Sequence, residues 1–421
     1  MQPTIAFVGM THLGLVSAVA AAEKGFEVIC FDPDVGLIDA LKKSESVISE
    51  PQLIELLAKN QERLCFSSDP KIIQNCVLIY VAPDVSTNDQ GQSDLSAINQ
   101  LLSIVFDNTT KKNVIVVLSQ VPPGFTRGKR QDDKTLYYQV ETLIFGQAIN
   151  RALLPERYII GCQNPKEPLP EPYLRFLEAH HCPILPMRYE SAELAKISIN
   201  MCLVASIATA NTLAELCEKI GADWAEIVPA LKLDRRIGQY SYLSPGLGIS
   251  GGNLERDLAT VINYANQYDA DGGVVKAWIN NSQRRKNWIW TILEKLGIEK
   301  EDDKRIGVLG LTYKENTHSL KNSPALVLLS QLEGWNVIAY DPVAAVNAAP
   351  NYVNRANSVL EVLKDAEILV LSTAWPEFRL ISTPMLLENM AGRIVIDPYG
   401  MLNDVELKAN GFSYFKLGMP L

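Results

Sequence analysis

From Thr4 to about Leu185, short apolar runs (TIAFV, EVICF, VLIYV, NVIVVL and RYIIG) alternate with amphipathic stretches. Runs that lack a polar alternate face belong to strands buried on both sides, so this pattern predicts a parallel sheet wrapped by helices. From about Ser191 to Leu296 the strand signals vanish. Long helical stretches replace them: SAELAKISINMCLVASIATANTLAELCEKIG, LERDLATVINYANQ and GVVKAWINNSQRRKNWIWTILEKLG. After the charged connector EKEDDKR, strands resume with IGVLGL, NVIAYD, AEILVLST and GRIVID. The predicted fold class is therefore α/β, two doubly wound parallel sheets joined by a long-helix central segment, with domains at 1–190, 191–298 and 299–421.

At 421 residues, 47% of them hydrophobic and 21% charged, the chain is long enough for two to three domains, each with its own core. A disordered or fibrous protein is excluded. Lys and Arg total 39 against 48 Asp and Glu, a net charge of -9, and no basic stripe appears, so nucleic acid is not an expected partner. The seven cysteines are scattered and never form a CxxC pair, which predicts reduced thiols and a cytoplasmic location. The four histidines lack metal-ligand spacing, so no metal is expected. The amino-terminal segment has neither a basic nor an apolar leader region, and no window reaches about 18 uninterrupted apolar residues, so no membrane is expected as a partner.

The first apolar run enters Gly9-Met10-Thr11-His12-Leu13-Gly14, where a dinucleotide-binding turn would carry GxGxxG, and Asp32 closes the next run in the place of a ribose-binding acid. The outer glycines permit the tight turn and the close helix packing. Thr11 holds the middle position, so its side chain either points away from a bound pyrophosphate or lends it a hydroxyl. With Asp32 available to two ribose hydroxyls and no Arg after it, NAD is favoured over NADP. A Rossmann-like unit holding no cofactor is the alternative. The pairs IAFVGM/VICFDPD and IGVLGL/VIAYDP match each other, which predicts two Rossmann-like units of similar plan. After Ser191, Glu193, Lys196 and Asn200 fall on one helical stripe at i, i+3 and i+7. Such a stripe is either solvated or, given its apolar flanks, buried in a cleft where Lys and Asn hold a hydroxyl as its proton and hydride leave.

The order of motifs resembles the UDP-glucose/GDP-mannose dehydrogenase family over essentially the whole chain. The resemblance rests on Gly9 to Gly14, Asp94-Leu95-Ser96, Ser119 to Gly124, Glu141 before Gly146, and Pro155-Glu156-Arg157. It continues through Ser191 to Lys196 with Asn200, Arg236-Ile237-Gly238, Gly246 to Asp257, Tyr313-Lys314, Ser323-Pro324, Asp341-Pro342, Thr373 with Trp375, and Asp397. It implies an NAD domain, a central helical dimerisation segment and a nucleotide-sugar domain, hence a homodimer acting on a nucleotide sugar, with a UDP-hexose favoured. It further implies oxidation of a sugar primary alcohol in two hydride transfers, with a Cys trapping the intermediate aldehyde. The implied catalytic residues are Lys196, Asn200, Asp257 and Glu141, with Asn253 at the Cys position. Gly9, Thr11, His12, Leu13, Gly14, Asp32, Pro83, Ser119 and Lys321 are implied for the cofactor. Arg236, Ser244, Gly248, Gly252, Tyr313, Lys314 and Tyr399 are implied for the substrate.

Where the family reads Gly-Gly-x-Cys-x-x-Lys-Asp, this chain reads Ser250-Gly251-Gly252-Asn253-Leu254-Glu255-Arg256-Asp257. An amide is no nucleophile toward an aldehyde, so the thioester route is closed unless Cys202 or Cys162 stands in. Asn253 is instead suited to cap the following helix. Gln120 and Phe145 replace a Thr and a Glu of the hydrolytic half, Lys321 and Tyr399 replace two arginines, and His318-Ser319 replace paired acids. The expected function is an NAD-dependent nucleotide-sugar dehydrogenase without a covalent intermediate. The alternatives are a single two-electron or redox-neutral NAD enzyme, and a non-catalytic nucleotide-sugar-binding paralogue.

Overall fold

Ile5–Val8 (β1) is buried along its whole length, as an apolar run in mid-sheet must be. Around it the computed structural model, which describes residues 4–43, 48, 50–86, 88 and 92–420, adds Val28–Phe31 (β2), Leu64–Ser67 (β3), Leu78–Val81 (β4) and Val114–Val117 (β5). Thr135–Gln139 (β6), Tyr158–Cys162 (β7) and Ile184–Arg188 (β8) complete the sheet, in the order β3-β2-β1-β4-β5-β6-β7-β8. The strand order reverses between β1 and β4, which pair in parallel from Ile5↔Leu78 to Val8↔Val81. The crevice beyond the carboxyl ends of such a pair is where ligands bind in doubly wound sheets.

The sheet departs from the expected all-parallel pattern at one place, because β6 and β7 pair antiparallel. A parallel connection must carry the chain across a sheet face, whereas here residues 140–157 turn back at the edge where β1 also ends. That edge keeps both the loop after β6 and the short helix Ala148–Leu153.

The chain divides into two units, Met1–Ile199 and Asn200–Leu421. In the second, Ile306–Leu309 (β9), Val337–Tyr340 (β10), Asn354–Arg355 (β11), Ile368–Leu371 (β12), Ile394–Ile396 (β13) and Ser413–Phe415 (β14) form a parallel sheet in the order β11-β10-β9-β12-β13-β14. The two sheets repeat each other in detail. Gly9 N–H donates to the Phe31 carbonyl at 2.9 Å and Gly310 N–H to that of Tyr340 at 2.8 Å, and both glycines have φ +95°. The copies diverge just beyond: a helix, His12–Glu23, opens three residues after Gly9, whereas residues 311–323 separate Gly310 from the helix Pro324–Gln331.

The helix Tyr189–Ile220 runs through the boundary between the units, and the helices Asn253–Gln267, Gly273–Lys286 and Trp288–Lys295 belong to the second. By length and composition the first of these could cross a membrane, with mean hydropathy 1.5 over its best window. It nonetheless carries buried Glu193, Asn211 and Glu218, each held by hydrogen bonds within its own unit.

Candidate active site

The turn after β1 is packed too closely for side chains. A Cβ on Gly14 would lie 1.8 Å from the Gly9 carbonyl oxygen, so only glycine lets the first helix approach the turn. Thr11 is the N-cap residue, but its hydroxyl does not cap the helix; its Oγ1 accepts from Asp84 N–H at 2.8 Å. The hydroxyl is therefore turned onto the segment after β4. Pro83, in that segment, offers its carbonyl to the buried Ser119 hydroxyl at 2.5 Å. The N–H groups of His12, Leu13 and Gly14 have no carbonyl within the helix to bind, as at any helix start. Asp32 accepts from Met10 N–H at 2.7 Å and Asp34 N–H at 3.0 Å, which orients its carboxylate at the end of β2. Gly9, Thr11, Pro83 and Ser119 thus form one cluster around the turn, with His12, Leu13, Gly14 and Asp32 on its rim.

At the same sheet edge, Glu141 Oε2 stands 3.5 Å from Lys196 Nζ, with side chains 17% and 14% exposed. One turn further along the same helix, Asn200 Nδ2 donates to Asp257 Oδ2 at 2.5 Å within the second unit, and Asp257 also accepts from Arg256 Nε at 3.2 Å. Asn200 and Asp257 are both buried. Of the stripe expected to be either solvated or buried, Glu193 and Asn200 are buried and Lys196 is half-buried. Glu193 is fully covered and accepts from Gly124 N–H at 2.6 Å and Thr126 N–H at 2.8 Å, tying the Ser119–Gly124 loop to the helix. Burial pushes the Glu193 carboxyl up, against the pull of those donors.

Asn253 is the first residue of its helix rather than the cap. Gly252 occupies the N-cap, where the loop enters at φ -104°, ψ -30°, already close to helical, and glycine has no side chain to cap with. The loop before it is held from the second unit: Gly246 N–H donates to Asn211 Oδ1, Ile249 N–H to Ser282 Oγ, and Gly251 N–H to the Lys321 carbonyl. Gly251 has φ +82°, and a Cβ there would lie 2.9 Å from the Tyr313 ring, so glycine is required where the loop crosses that ring. Gly248 and Gly252 lie along this loop and Ser244 at its exposed start. Lys314 Nζ stands 5.8 Å from the Tyr313 ring centroid. The Tyr399 hydroxyl donates to the Ser372 carbonyl, and burial pushes its pKa well above the ordinary phenol value. Arg236 is apart from the loop's bonds: its side chain is 89% exposed and forks onto Asp234.

Family models match nearly the whole chain. The NAD binding domain of the UDP-glucose/GDP-mannose dehydrogenase family covers residues 3–174, its central domain 190–283, and its UDP binding domain 307–404. The chain belongs to this family. UDP-glucose/GDP-mannose dehydrogenases are NAD-dependent oxidoreductases, and this chain is one of them. It is 30% identical to the UDP-glucose 6-dehydrogenase of Rickettsia conorii over 99% of this chain and 100% of that one. It is 29% identical to UDP-glucose 6-dehydrogenase TuaD of Bacillus subtilis, over 99% and 93%. In fold it is similar to a UDP-glucose dehydrogenase from Pyrobaculum islandicum, with TM-score 0.84, 23% identity, and 100% and 98% of the two chains covered. A UDP-D-ManNAc dehydrogenase from Pyrococcus horikoshii gives 0.83, 21%, and 99% of each chain.

The first unit fits NAD on its own geometry. A close-packed turn opens a helix, the helix start offers N–H groups for a pyrophosphate, and a carboxylate ends the second strand. The copy in the second unit is closed to that use. Asp341, the counterpart of Asp32, is spent on Leu311, Thr312, Val343 and Ala344 N–H groups and on Trp375 Nε1. Burial raises its carboxyl, but those donors outweigh it and hold it below the ordinary range. Of the two thiols considered as stand-ins, Cys162 is buried at the end of β7, away from the Glu141 edge, and donates to the Met187 carbonyl. Burial pushes its thiol up. Cys202 is exposed two residues past Asn200, roughly 200° round the helix. Sequence reasoning missed Glu50, Asp84 and the tether role of Glu193. Glu193 was visible as a stripe member; the other two carry no local signal.

Proposed function

We propose that this dehydrogenase oxidises the hydroxymethyl group of a UDP-hexose, UDP-glucose being the first candidate, and releases the aldehyde or its hydrate, any acid forming from the hydrate without a covalent adduct. The observation that carries this reading is the pairing of Lys196 with Glu141 and of Asn200 with Asp257 on one helix, with Asn253 where the family thiol would be. NAD supplies the hydride acceptor, so one alcohol and one NAD give one aldehyde, one NADH and one proton. Lys196 and Asn200 donate to the alcohol oxygen as it becomes an oxyanion. Asp257 holds the Asn200 amide and shares in placing the hydroxyl proton, and Glu141 receives it. Asn253 forms no C–S bond and can only donate or accept hydrogen bonds.

Gly9, Thr11, His12, Leu13, Gly14, Asp32, Pro83 and Ser119 hold the cofactor in this reading, with Lys321 contributing charge. Ser244, Gly248, Gly252 and Tyr313 surround the sugar, Lys314 and Arg236 meet the phosphates, and Tyr399 meets the nucleotide by contact rather than charge. The named relatives favour a UDP-glucose substrate. The segments 1–190, 191–298 and 299–421 serve cofactor, dimerisation and nucleotide sugar, in a cytoplasmic homodimer formed through the central helices.

The test is NADH formed per mole of sugar consumed across a panel of UDP- and GDP-hexoses, with product masses. One NADH and an aldehyde mass supports the reading. Two with a carboxylate and no covalent adduct supports the hydrate route; a trapped acyl-enzyme overturns both. No NADH with bound sugar favours redox-neutral chemistry or a binding role.

A further inference from the structure

We infer that Glu50 is a positioning residue that couples the cofactor-binding turn to the loop carrying Glu141, acting through His12. His12 is the first residue of the helix that opens at the turn, and its Nε2 lies 3.0 Å from Glu50 Oε2. The Glu50 side chain is 1% exposed. The same carboxylate accepts from Gly146 N–H at 3.0 Å and Ala148 N–H at 2.8 Å. The His12 ring also packs on the Phe145 ring, with centroids 4.3 Å apart. One buried carboxylate therefore holds donors from two segments that are distant in sequence, the turn and the loop.

A carboxylate shut away from water draws its solvation from such donors, so losing one is costly and moving one segment disturbs the other. The loop can transmit this, because it is short and internally bonded. Gly146 turns the chain at φ +84°, Gln147 N–H donates to the Ile144 carbonyl at 2.9 Å, and Leu143 N–H donates to the Glu141 carboxylate itself. Ala148 and Ile149 are anchored in the same core as Leu13, Leu15 and Val16 of the first helix. A dinucleotide that engages the start of this helix fixes His12, and His12 with Glu50 fixes the bend that sets Glu141 against Lys196. The step from the loop to turnover rests on the proposed role of Glu141 and Lys196; the step from cofactor to loop does not.

The experiment compares the full-length parent with H12F, H12Q and E50A. It reads melting temperature, the NADH dissociation constant by fluorescence, amide exchange at Gly146 and Ala148 with and without NADH, and kcat on the best sugar of the panel. In the parent, NADH slows exchange at both amides. H12F keeps the ring against Phe145 but takes one donor from Glu50, so it melts about 2–8 °C below the parent. It binds NADH about tenfold more weakly, the worth of one charge-assisted hydrogen bond, and loses the NADH-dependent protection. H12Q, whose amide replaces the lost donor, recovers protection and affinity. E50A loses both and melts lower. Protection in H12F equal to the parent's, or affinity within about twofold of it, overturns the coupling and leaves Glu50 a structural cap. Because exchange and affinity need no sugar, a parent that oxidises no sugar defeats the proposed reaction while these two readings still decide the coupling.

Discussion

Lys196 is the cation at ion-pair distance from Glu141 among the described residues, and both side chains keep a small exposed fraction through which substrate can reach them. In the reading above, K196A leaves the alcohol oxygen without its charged donor. We expect kcat to fall by about two orders of magnitude or more, with little change in melting temperature; unchanged turnover would remove Lys196 from the chemistry. At position 253 the helix start is left without a side-chain cap, so N253C changes the chemistry more than the fold. A thiol there should capture the aldehyde. Because Gln120 and Phe145 also depart from the hydrolytic pattern, the sugar adduct should persist and appear by intact-mass spectrometry. No adduct after turnover would mean that position 253 does not face the reacting carbon. The helical stripe through Lys196 and Asn200 and the glycine turn were legible at this scale because each is a residue pattern at a fixed spacing, whereas Asp257 entered only through the family resemblance. The Thr11 hydroxyl was not, since its donor lies on a segment after another strand.

The loop after β5 owes its position to the long helix. Glu193 takes both the Gly124 and Thr126 N–H groups, while Ser119 in the same loop bonds to Pro83 beside the cofactor turn. E193A would leave two N–H groups without their acceptor, one of them on a buried residue, at a cost of about 2–3 kcal/mol. We expect a lower melting temperature together with weaker NADH binding, measured by thermal shift and fluorescence titration. Affinity unchanged despite the lower melting point would show that the loop does not serve the cofactor. The antiparallel pairing of β6 with β7 also belongs to this scale. A run such as RYIIG announces a strand but not its direction, because direction depends on whether the preceding segment crosses the sheet or turns back at its edge.

The two units differ in how acid should unfold them. His180, in the first, donates from Nδ1 to the Phe176 carbonyl and sits edge-on to Tyr158 and Phe176; burial lowers its pKa to about 4. The unfolded chain binds that proton near 6.5, so the stability from keeping His180 neutral is present above about pH 6.5 and lost as pH falls toward 4. Glu215, in the second unit, is lowered to about 2, chiefly by its hydrogen bond from Arg284. Its contribution is present above about pH 4.5 and lost as pH falls toward 2. All six tryptophans lie beyond residue 199 and report on the second unit alone. On acidification, helix content and first-unit amide protection should fall before tryptophan fluorescence changes. H180Q should delay the first phase, and E215Q should flatten the second; coincident transitions in both variants would refute the assignment. The sequence by itself determined the apolar runs, the two matched strand-turn units, the central helices and the order of the family's motifs, because periodicity and motif spacing are local properties of the chain. Only the tertiary structure decided which way β7 runs, that Gly252 and not Asn253 stands at the helix cap, and that Glu50 joins the cofactor turn to the Glu141 loop. Those outcomes depend on which distant segments the sheet order brings within hydrogen-bond reach of a buried group.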